Sequence, residues 1–394
     1  MKILIASDWY EPVINGVVTS IINLKSGLEE LGHEVRVLTL SMSSESYREG
    51  DVYYIGSLDA QRVYPGARIK LKLTQNEVKD IIAWKPDVIH TQNEFSTFFI
   101  ARKIAKRLSI PMIHTYHTMY EDYTHYFFKT KTVGRKAVVV CSKLLGKNVS
   151  CIIAPTYKIN RIVKSYHVEC PIHTVPTGIS LKKFQAKTGI EQMHAIKEAL
   201  GIPSDHLVLV SVSRLGKEKR MDELIRYMNK LKGRNISLVI VGDGPQKKYL
   251  GKLIQQLQLS SQVKLTGMIA PDQIPTYYQL GDLFVSASTS EAQGLTYIEA
   301  LASATPLLCR KDDCLEGVLE EGVNGYSFET EEEFIQKLEK YMMQNDREQM
   351  SLNAENSSAK FSRETFAGSL EELYTLYGIQ FVSENLPNQT GYIA

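Results

Sequence analysis

Short apolar runs alternate with helical stretches along the whole chain. In the first half the strand-like runs are residues 3–6, 34–40, 88–90, 112–116, 151–154 and 173–176. A second series consists of residues 207–212, 237–241, 263–266, 283–286 and 306–309. Strands that alternate with helices are typical of parallel sheets covered by helices on both faces. The pattern therefore predicts the α/β fold class, with the same kind of doubly wound sheet built twice.

The boundary between the two series is marked by Pro176 and Gly178, after which the hydrophobic periodicity falls. Pro and Gly at such a position predict a hinge, and 394 residues exceed what one hydrophobic core usually holds. We expect a first domain of residues 1–180, a second of residues 181–362 and a tail of residues 363–394. The tail is predicted to be helical through Tyr377 and then polar, including Pro387.

A loop of small residues follows the strand that ends at Ser286 and carries Glu291 and Gly294. Thr296 and Glu299 have the spacing of a capping box, which predicts that a helix begins at Thr296. Free amides at a helix start attract anions. A carboxylate on either side of that anion would suit a ligand that carries both a diphosphate and several hydroxyl groups. Alternatively, Glu299 only caps the helix and Glu291 only faces water. The spacing alone leaves both interpretations open.

Three further strand ends carry candidate residues. Arg214 and Lys219 follow the strand 207–212, and such cations can hold a diphosphate without a metal. A solvated charge run is the simpler interpretation of the neighbouring Lys217 and Arg220. Gly242 lies in a turn that lacks a dinucleotide-binding spacing. Gly16, after the first strand, either lets backbone amides approach a phosphate or simply forms a tight turn.

Residues 114–126 contain three His and four Tyr after the strand 112–116. Rings and imidazoles at a strand end suit sugar packing and hydroxyl binding. His117 is the candidate here, whereas we interpret His90 and His114 as structural residues with satisfied hydrogen bonds.

Charge is unevenly distributed. The net charge is +2, but residues 1–180 contain 23 Lys and Arg against 16 Asp and Glu, which predicts an anionic partner for the first domain. Residues 62–85 and 126–147 mix cations with apolar residues and are candidates for an anionic membrane surface. The alternative is ordinary amphipathic helices with solvated lysines. Nucleic acid is a weaker candidate because no known nucleic-acid-binding motif accompanies the charge.

Three further features bear on the compartment and on metals. No window has the 18 or so apolar residues needed for a membrane span, and the N-terminus is predicted to be a strand rather than a signal peptide. We therefore expect a cytoplasmic protein. The five cysteines form no Cys-x-x-Cys pair, which suggests reduced, structural thiols in apolar surroundings and no zinc site.

The pair Glu291 and Glu299, with seven residues between them, resembles the signature of the retaining glycosyltransferases of family four. The resemblance implies the GT-B fold, in which two doubly wound domains face each other across a cleft and the tail crosses back to the first. It implies that Glu291 binds the donor-sugar hydroxyls and Glu299 the ribose. The other implied donor contacts are Gly16, Arg214, Lys219, Gly242, Ile269, Gly294, Leu295 and Thr296, with no metal or other cofactor.

Two motifs resemble a lipid-glycosylating subgroup of that family, the 1,2-diacylglycerol 3-glucosyltransferases. One is Glu-x-Gln-Gly-Leu-Thr-Tyr-x-Glu from Glu291, and the other is His-Thr-x-Tyr-x-Asp-Tyr-Thr-His-Tyr from His117. His117 matches the active-site histidine of the family, and the implied acceptor residues are His117, Tyr120, Asp122, Tyr123, His125 and Tyr126. Departures from the wider family are Ala292, Gln293, Thr177 and Ser180.

The resemblance implies transfer of glucose from UDP-glucose to 1,2-diacylglycerol with retention, forming α-monoglucosyldiacylglycerol at the inner face of the cell membrane. Three alternatives remain open at this point. The acceptor is instead a phosphoinositide, a sugar or a small metabolite; the chain is a non-catalytic scaffold with the same fold; or it is an epimerase of a UDP-sugar. Glucose and galactose donors are not distinguished by the sequence.

Overall fold

The computed structural model describes residues 1–60, 67–70, 74–123 and 130–385. The chain forms two compact units: Met1–Gly178 together with Arg363–Ala394, and Ile179–Ser362. The division therefore falls two residues before the predicted boundary at residue 180. The first unit takes in the tail and is therefore discontinuous in sequence, whereas the second unit is one continuous stretch.

The elements before residue 178 are β1 (Lys2–Ala6), α1 (Gly16–Glu30), β2 (Glu34–Leu40), β3 (Tyr47–Glu49), β4 (Val52–Ile55), β5 (Leu58–Asp59), β6 (Arg68–Ile69), α2 (Gln75–Trp84), β7 (Val88–Thr91), α3 (Ser96–Leu108), β8 (Met112–Thr115), α4 (Tyr120–Tyr123), α5 (Lys131–Gly146), β9 (Cys151–Ala154), α6 (Tyr157–Ser165) and β10 (Ile172–Thr174).

The elements of the second unit are α7 (Leu181–Gln185), α8 (Ile190–Ala199), β11 (Leu207–Val212), α9 (Met221–Lys230), β12 (Ile236–Val241), α10 (Lys247–Gln256), β13 (Val263–Gly267), α11 (Ile274–Leu280), β14 (Leu283–Ser286), α12 (Leu295–Ala302), β15 (Leu307–Arg310), β16 (Gly325–Phe328), α13 (Glu331–Met343) and α14 (Arg347–Ser357). The helix α15 (Arg363–Asn385) then returns to the first unit.

The first unit is built on an eight-stranded sheet in the order β10-β9-β8-β7-β1-β2-β4-β3. All its strand pairs are parallel except β3 with β4. The predicted parallel sheet is thus confirmed, but strands β3 to β6 were not predicted. Strand β3 is exposed along its length and β5 and β6 have two residues each, so none of these three shows an apolar run.

The second unit contains a six-stranded sheet, entirely parallel, in the order β13-β12-β11-β14-β15-β16. Strands β11 and β12 are buried at every residue, as their continuous apolar runs predict. Strand β16 was missed because Gly325 and Ser327 interrupt its apolar residues. In both units the parallel arrangement brings the carboxyl ends of neighbouring strands to one edge of the sheet.

Helix α15 fixes the tail to the first unit. The Tyr374 hydroxyl lies 2.6 Å from His90 Nδ1, and the Tyr377 hydroxyl lies 2.8 Å from His173 Nε2. Arg363 donates to the Ser26 hydroxyl and to Glu30 on α1. The helix extends to Asn385, eight residues beyond the predicted end at Tyr377, and Pro387 lies outside the described residues.

The described part of the basic segment 62–85 has an ordinary buried face. Val78, Ile81 and Trp84 of α2 are at most 7% exposed. The Trp84 indole donates to Glu34 at 2.6 Å, which directs the ring into the unit. These contacts fit the alternative interpretation of the sequence, an amphipathic helix that packs on its own domain, and the membrane interpretation of the whole segment stays a prediction.

All five cysteines are free, and Cys151, Cys309 and Cys314 are buried. Cys141 on α5 is exposed, so the prediction of apolar surroundings was wrong for this thiol. No helix within the described ranges combines the length and the apolarity that a membrane span requires.

The contact between α1 and α15 leaves no room for a side chain at Gly27. A Cβ there would lie 2.7 Å from Ala367 Cβ and 3.1 Å from the Arg363 carbonyl oxygen. We expect Gly27→Ala to lower the free energy of unfolding by about 1–3 kcal/mol, the usual cost of overpacking, measured by denaturant unfolding. The control is Gly368→Ala on α15, where a Cβ meets nothing within 4 Å. It should be neutral or slightly stabilising, and equal effects of both changes would contradict the packing.

Candidate functional site

Helix α12 begins at Leu295, one residue earlier than predicted, with Gly294 as its N-cap. Gly294 has a φ of 73°, and a Cβ there would lie 2.6 Å from the Tyr297 ring, so only glycine fits. The capping box of Thr296 and Glu299 was therefore a wrong prediction, because both residues lie inside the helix. No described side chain caps this end of the helix, which leaves the first amides near Leu295 and Thr296 to attract an anion.

The Glu299 carboxyl group is hydrogen-bonded to a buried side chain of the second unit and not to the backbone amides at the start of its helix. The Tyr278 hydroxyl, on the fully buried ring of α11, donates to Glu299 Oε2 at 2.7 Å. Burial raises the pKa of Glu299, although this hydrogen bond acts in the opposite direction. The carboxyl group therefore occupies a place where its charge is poorly solvated, and the simple capping role is excluded.

Glu291 forms an ion pair with Lys219, which lies in the short 3-10 turn Lys217–Lys219. The two side chains are only 14% and 21% exposed. The alternative that Glu291 merely faces water is therefore wrong. The pair joins the loop after β14 to the loop after β11, which are neighbouring strands.

Arg214 is exposed, and its loop packs against the turn that carries Gly242. A Cβ at Gly242, whose φ is 135°, would lie 1.9 Å from the Ser213 carbonyl oxygen. The Leu215 amide donates to the Asp243 carbonyl at 2.9 Å. Gly242 thus allows the backbone of the Arg214 loop to come close, which is a packing reason for glycine at this position. Ile269 packs partly buried beside the core around β14 and α12.

The carboxyl edge of the second sheet therefore combines cations, free helix amides and two carboxyl groups. Arg214, Lys219 and the start of α12 suit a polyanion, whereas Glu291 and Glu299 are hydrogen-bond acceptors for hydroxyl groups. Among the residues that the structure describes, no group of three or more His, Cys, Asp or Glu could hold a metal ion.

In the first unit His117 follows β8, and its Nε2 lies 2.7 Å from Gln92 Oε1. The amide oxygen accepts, so Nε2 carries the proton and Nδ1 remains an acceptor. Burial, and secondly the nearby His114, lowers the pKa of His117 to about 3. His117 is therefore a neutral imidazole with a fixed tautomer at neutral pH.

Tyr120 is bound through its hydroxyl to the carboxylate of Glu94. Glu94 also lies 3.1 Å from Nε2 of the fully buried His114. His114 Nδ1 is satisfied by the Thr91 hydroxyl at 2.8 Å, and both ring nitrogens of His90 have partners. The structural interpretation of His90 and His114 is confirmed.

The remaining predicted acceptor residues are only partly visible. Asp122 and Tyr123 lie in α4, but their side chains are outside the described part, as are His125 and Tyr126 altogether. Gly16 is the first residue of α1 and is exposed, with nothing within 4 Å of a Cβ. Its φ is not in the left-handed region, so the tight-turn explanation does not require a glycine here.

Sequence reasoning missed Gln92, Glu94 and Tyr278. Gln92 and Glu94 follow β7, the neighbour of β8 in the sheet, and their position at the carboxyl end of a predicted strand was the signal that could have drawn attention to them. Tyr278 lies on another helix, and nothing in the local sequence around Glu299 points to it.

Two family models together match most of the chain. The model described as Glycosyltransferase Family 4 matches residues 14–183, and the model described as Glycosyl transferases group 1 matches residues 192–357. An α-monoglucosyldiacylglycerol synthase of Acholeplasma laidlawii is 38% identical over 95% of this chain and 96% of its own length. The chain belongs to glycosyltransferase family 4. It is a hexosyltransferase.

Further comparisons agree with this assignment. An α-monoglucosyldiacylglycerol synthase of Streptococcus pneumoniae is 35% identical over 82% of this chain and 74% of its own length. Solved structures of Anabaena HepE with UDP-glucose and of a Thermosynechococcus elongatus sucrose-phosphate synthase superpose with TM-scores of 0.74 and 0.73. Each is 18% identical to this chain. The HepE match spans 95% of this chain and 100% of HepE, and the synthase match spans 96% of this chain and 99% of the synthase. The similarity establishes the GT-B fold of this family 4 glycosyltransferase.

Glu299→Gln separates the stability of the site from its binding role. The raised pKa means that the wild-type unit loses stability as the pH rises from the ordinary carboxyl value through the raised one. The uncharged amide still accepts from Tyr278, so the variant should lose this pH slope and stay folded in calorimetry. If Glu299 binds ribose, UDP affinity should fall about tenfold, the scale of a hydrogen bond to a charged group.

The control for this change is Glu332→Gln on the exposed surface of α13, which should alter neither property. An unchanged UDP affinity in Glu299→Gln would remove the ribose role. If the stability of Glu299→Gln depended on pH as the wild-type stability does, a buried carboxyl group with a raised pKa at this position would be contradicted.

The His117 imidazole should stay neutral from pH 5 to 8, which NMR of the ring nitrogens measures directly. Its folded-state pKa lies below the ordinary value of about 6.5, so protonation favours the unfolded chain and the residue costs stability as the pH falls. Gln92→Leu should abolish the preference for the Nε2–H tautomer. A ring that titrates near 6.5 in the folded protein would be incompatible with this environment.

Proposed function

We propose that this family 4 hexosyltransferase transfers glucose from UDP-glucose to 1,2-diacylglycerol with retention, forming α-monoglucosyldiacylglycerol at an anionic membrane surface. The observation that carries the proposal is the 38% identity with an α-monoglucosyldiacylglycerol synthase along nearly the full length of both chains. A UDP-sugar donor is further supported by the similar fold of the UDP-glucose complex of HepE.

In the proposed mechanism the second unit handles the donor. Arg214, Lys219 and the first amides of α12 stabilise the negative charge that develops on departing UDP. Such preorganised donors typically contribute about 3–4 kcal/mol each to lowering a barrier. Glu291 orients the sugar through its hydroxyls and Glu299 orients the ribose.

The Lys219–Glu291 ion pair keeps the proposed donor site electrically balanced before the donor binds. The Glu291 carboxylate neutralises the Lys219 ammonium, which later binds the diphosphate. The two groups are mostly buried, so leaving either alone would be costly. The incoming diphosphate takes over the ammonium, and the sugar hydroxyls donate to the released carboxylate.

The first unit supplies the acceptor side of the proposal. His117 is neutral and keeps Nδ1 as an acceptor, so it orients a hydroxyl group without adding charge. The Tyr120 hydroxyl is already bound to Glu94, so in this proposal Tyr120 contacts the acceptor through its ring.

Neither Glu291 nor Glu299 acts as a covalent nucleophile in this mechanism, and a phosphate oxygen of UDP takes the acceptor proton. No metal is required, since fixed cations hold the diphosphate.

The deciding experiment follows labelled sugar from UDP-glucose into lipid in mixed micelles of diacylglycerol, with and without phosphatidylglycerol. We expect a labelled monoglucosyldiacylglycerol whose formation increases with phosphatidylglycerol and persists with a chelator. Lys219→Met should abolish the product, whereas Lys217→Met, at the exposed start of the same turn, should leave it.

Other results would redirect the proposal. Release of UDP with a soluble sugar, and none with diacylglycerol, would replace the acceptor and leave the donor site in place. Loss of activity with chelator, restored by magnesium, would overturn the proposal that the fixed cations hold the diphosphate without a metal. UDP-galactose as the preferred donor would change the sugar.

A further inference from the structure

Asp8 follows β1 at the carboxyl edge of the first sheet and is only 7% exposed. Its Oδ1 accepts a hydrogen bond of 2.8 Å from the Thr97 amide at the start of α3. The Asp8 amide donates to Asn93 Oδ1 at 3.0 Å, which fixes the residue beside the end of β7. The N-cap of α3 is Phe95, which offers no side-chain cap, so one Asp8 oxygen serves as the cap of this helix.

The other carboxyl oxygen of Asp8 is not explained by this cap. Oδ2 is buried and forms no hydrogen bond with any residue that the structure describes. Burial raises the pKa of Asp8 to about 7; contacts with Thr97 act in the opposite direction, and the nearby Glu94 adds to the rise. Below neutral pH the carboxyl group is therefore mostly uncharged. Because Oδ1 accepts from an amide, the proton lies on Oδ2, which becomes a buried donor that requires an acceptor.

A cavity of about 180 Å³ lies against Asp8 at the ends of β1 and β2. At roughly 30 Å³ for each water-sized group, it has room for about six non-hydrogen atoms, the size of a glycerol unit. Met42 lines the cavity and is 62% exposed, and Ile14, which follows the cavity-lining Val13, is 70% exposed. The cavity thus combines a polar group at its wall with apolar side chains near its opening, which suits the polar end of a lipid.

We propose that Asp8, in its uncharged form, donates a hydrogen bond from Oδ2 to an ester carbonyl oxygen of the diacylglycerol acceptor, whose glycerol unit enters this cavity. This inference rests on the proposed function, whose acceptor is a diacylglycerol. The one free hydroxyl group of that lipid is already assigned to His117. Its two ester carbonyl oxygens can only accept hydrogen bonds, and Asp8 supplies a donor.

Several titratable or charged groups face Asp8. Glu94 approaches from the loop after β7. The lining of the cavity adds Glu11 from the loop after β1, Arg68 of β6, which donates to the Ser57 hydroxyl, Glu49 of β3, and Tyr10, Tyr47 and Tyr54. Burial raises the pKa of Tyr10 to about 12 and also raises that of Tyr54, so these two hydroxyls stay protonated near neutral pH.

The proposed donor is lost as the pH rises through about 7, because Oδ2 then loses its proton. A carboxylate repels the carbonyl oxygen, so acceptor affinity should be high at pH 6 and low at pH 8.5. His117 does not contribute to this change, since its pKa of about 3 lies well below the range.

The experiment compares two acceptors in detergent micelles at pH 6 and pH 8.5, with UDP-glucose kept saturating so that the donor site does not limit the rate. One acceptor is 1,2-dioctanoylglycerol, and the other is its 1,2-dioctyl ether, which keeps the hydroxyl group but has no carbonyl. At pH 6 the wild-type KM for the diester should be about tenfold below that for the diether, the scale of one buried hydrogen bond. At pH 8.5 the preference for the diester should be gone.

Asp8→Asn separates the donor from its titration. The amide keeps an oxygen for the Thr97 backbone and places an N–H group, which does not titrate, at the position of Oδ2. The variant should therefore prefer the diester about tenfold at both pH values, so that at pH 8.5 its KM for the diester is about tenfold below the wild-type value. The matched control is Asp80→Asn at an exposed position of α2, which should lose the preference at pH 8.5 as wild type does.

A second measurement needs neither turnover nor a folded variant. Carbon-13 NMR of the aspartate carboxyl groups should show Asp8 titrating near pH 7 in the full chain. A ligand that binds the protonated form must raise this midpoint, because the coupling between proton and ligand is reciprocal. Dioctanoylglycerol should raise it, and the diether should not.

The outcomes distinguish this inference from the proposed function. Equal wild-type KM values for diester and diether at pH 6, or a preference for the diester that persists at pH 8.5, would overturn the role of Asp8 even if lipid is glucosylated. A preference that disappears in Asp8→Asn at pH 6, or an Asp8 midpoint that ignores dioctanoylglycerol, would do the same. Failure of the proposed function itself would appear as absence of glucosyl transfer to both acceptors at both pH values.

Discussion

The two parallel sheets impose the constraint on which the rest of the protein depends. In a parallel sheet every crossover must return along the outside, so the carboxyl ends of neighbouring strands share one edge. In the second unit this brings the loops after β11 and β14 together, and Lys219 meets Glu291 there across 72 residues of sequence. In the first unit it brings Gln92, after β7, to His117, after β8. Side chains distant in sequence become partners because their strands are hydrogen-bonded neighbours.

The polar groups at these edges are each stabilised by a specific partner. A buried charge or imidazole is costly unless it is hydrogen-bonded or neutral. His117 is neutral beside an amide, Glu299 has a raised pKa beside a tyrosine hydroxyl, and Glu291 is matched by an ammonium. Each solution also fixes which atom donates and which accepts. In the proposed mechanism the contacts that stabilise these groups would therefore also preorganise them for the ligand.

Helices α2 and α5 illustrate how burial, and not composition, decides what a basic amphipathic segment does. Both segments combine lysines with aliphatic residues and were equivalent candidates by sequence. In α2 the apolar residues pack into the unit, and the Trp84 indole is anchored by Glu34. In α5 the inward side consists largely of small residues, Gly134, Ser142 and Gly146, which brings the helix close and leaves its larger aliphatic residues outside.

The sequence by itself determined the α/β class, the repetition of the parallel sheet, the strand-end positions of Glu291, Arg214 and His117, and the helix that carries Glu299. These follow from apolar runs and turn residues, which act locally. It misplaced the start of α12, because the N-cap is the left-handed Gly294 and not Thr296, and it missed β3 and β16, whose pairing comes from neighbouring strands. Only the tertiary structure decided that Tyr278 holds Glu299, that Gln92 fixes His117, and that α5 exposes its aliphatic residues while α2 buries them. Those outcomes depend on which surfaces meet after the chain has folded, and contacts between distant segments leave no periodic trace in the sequence.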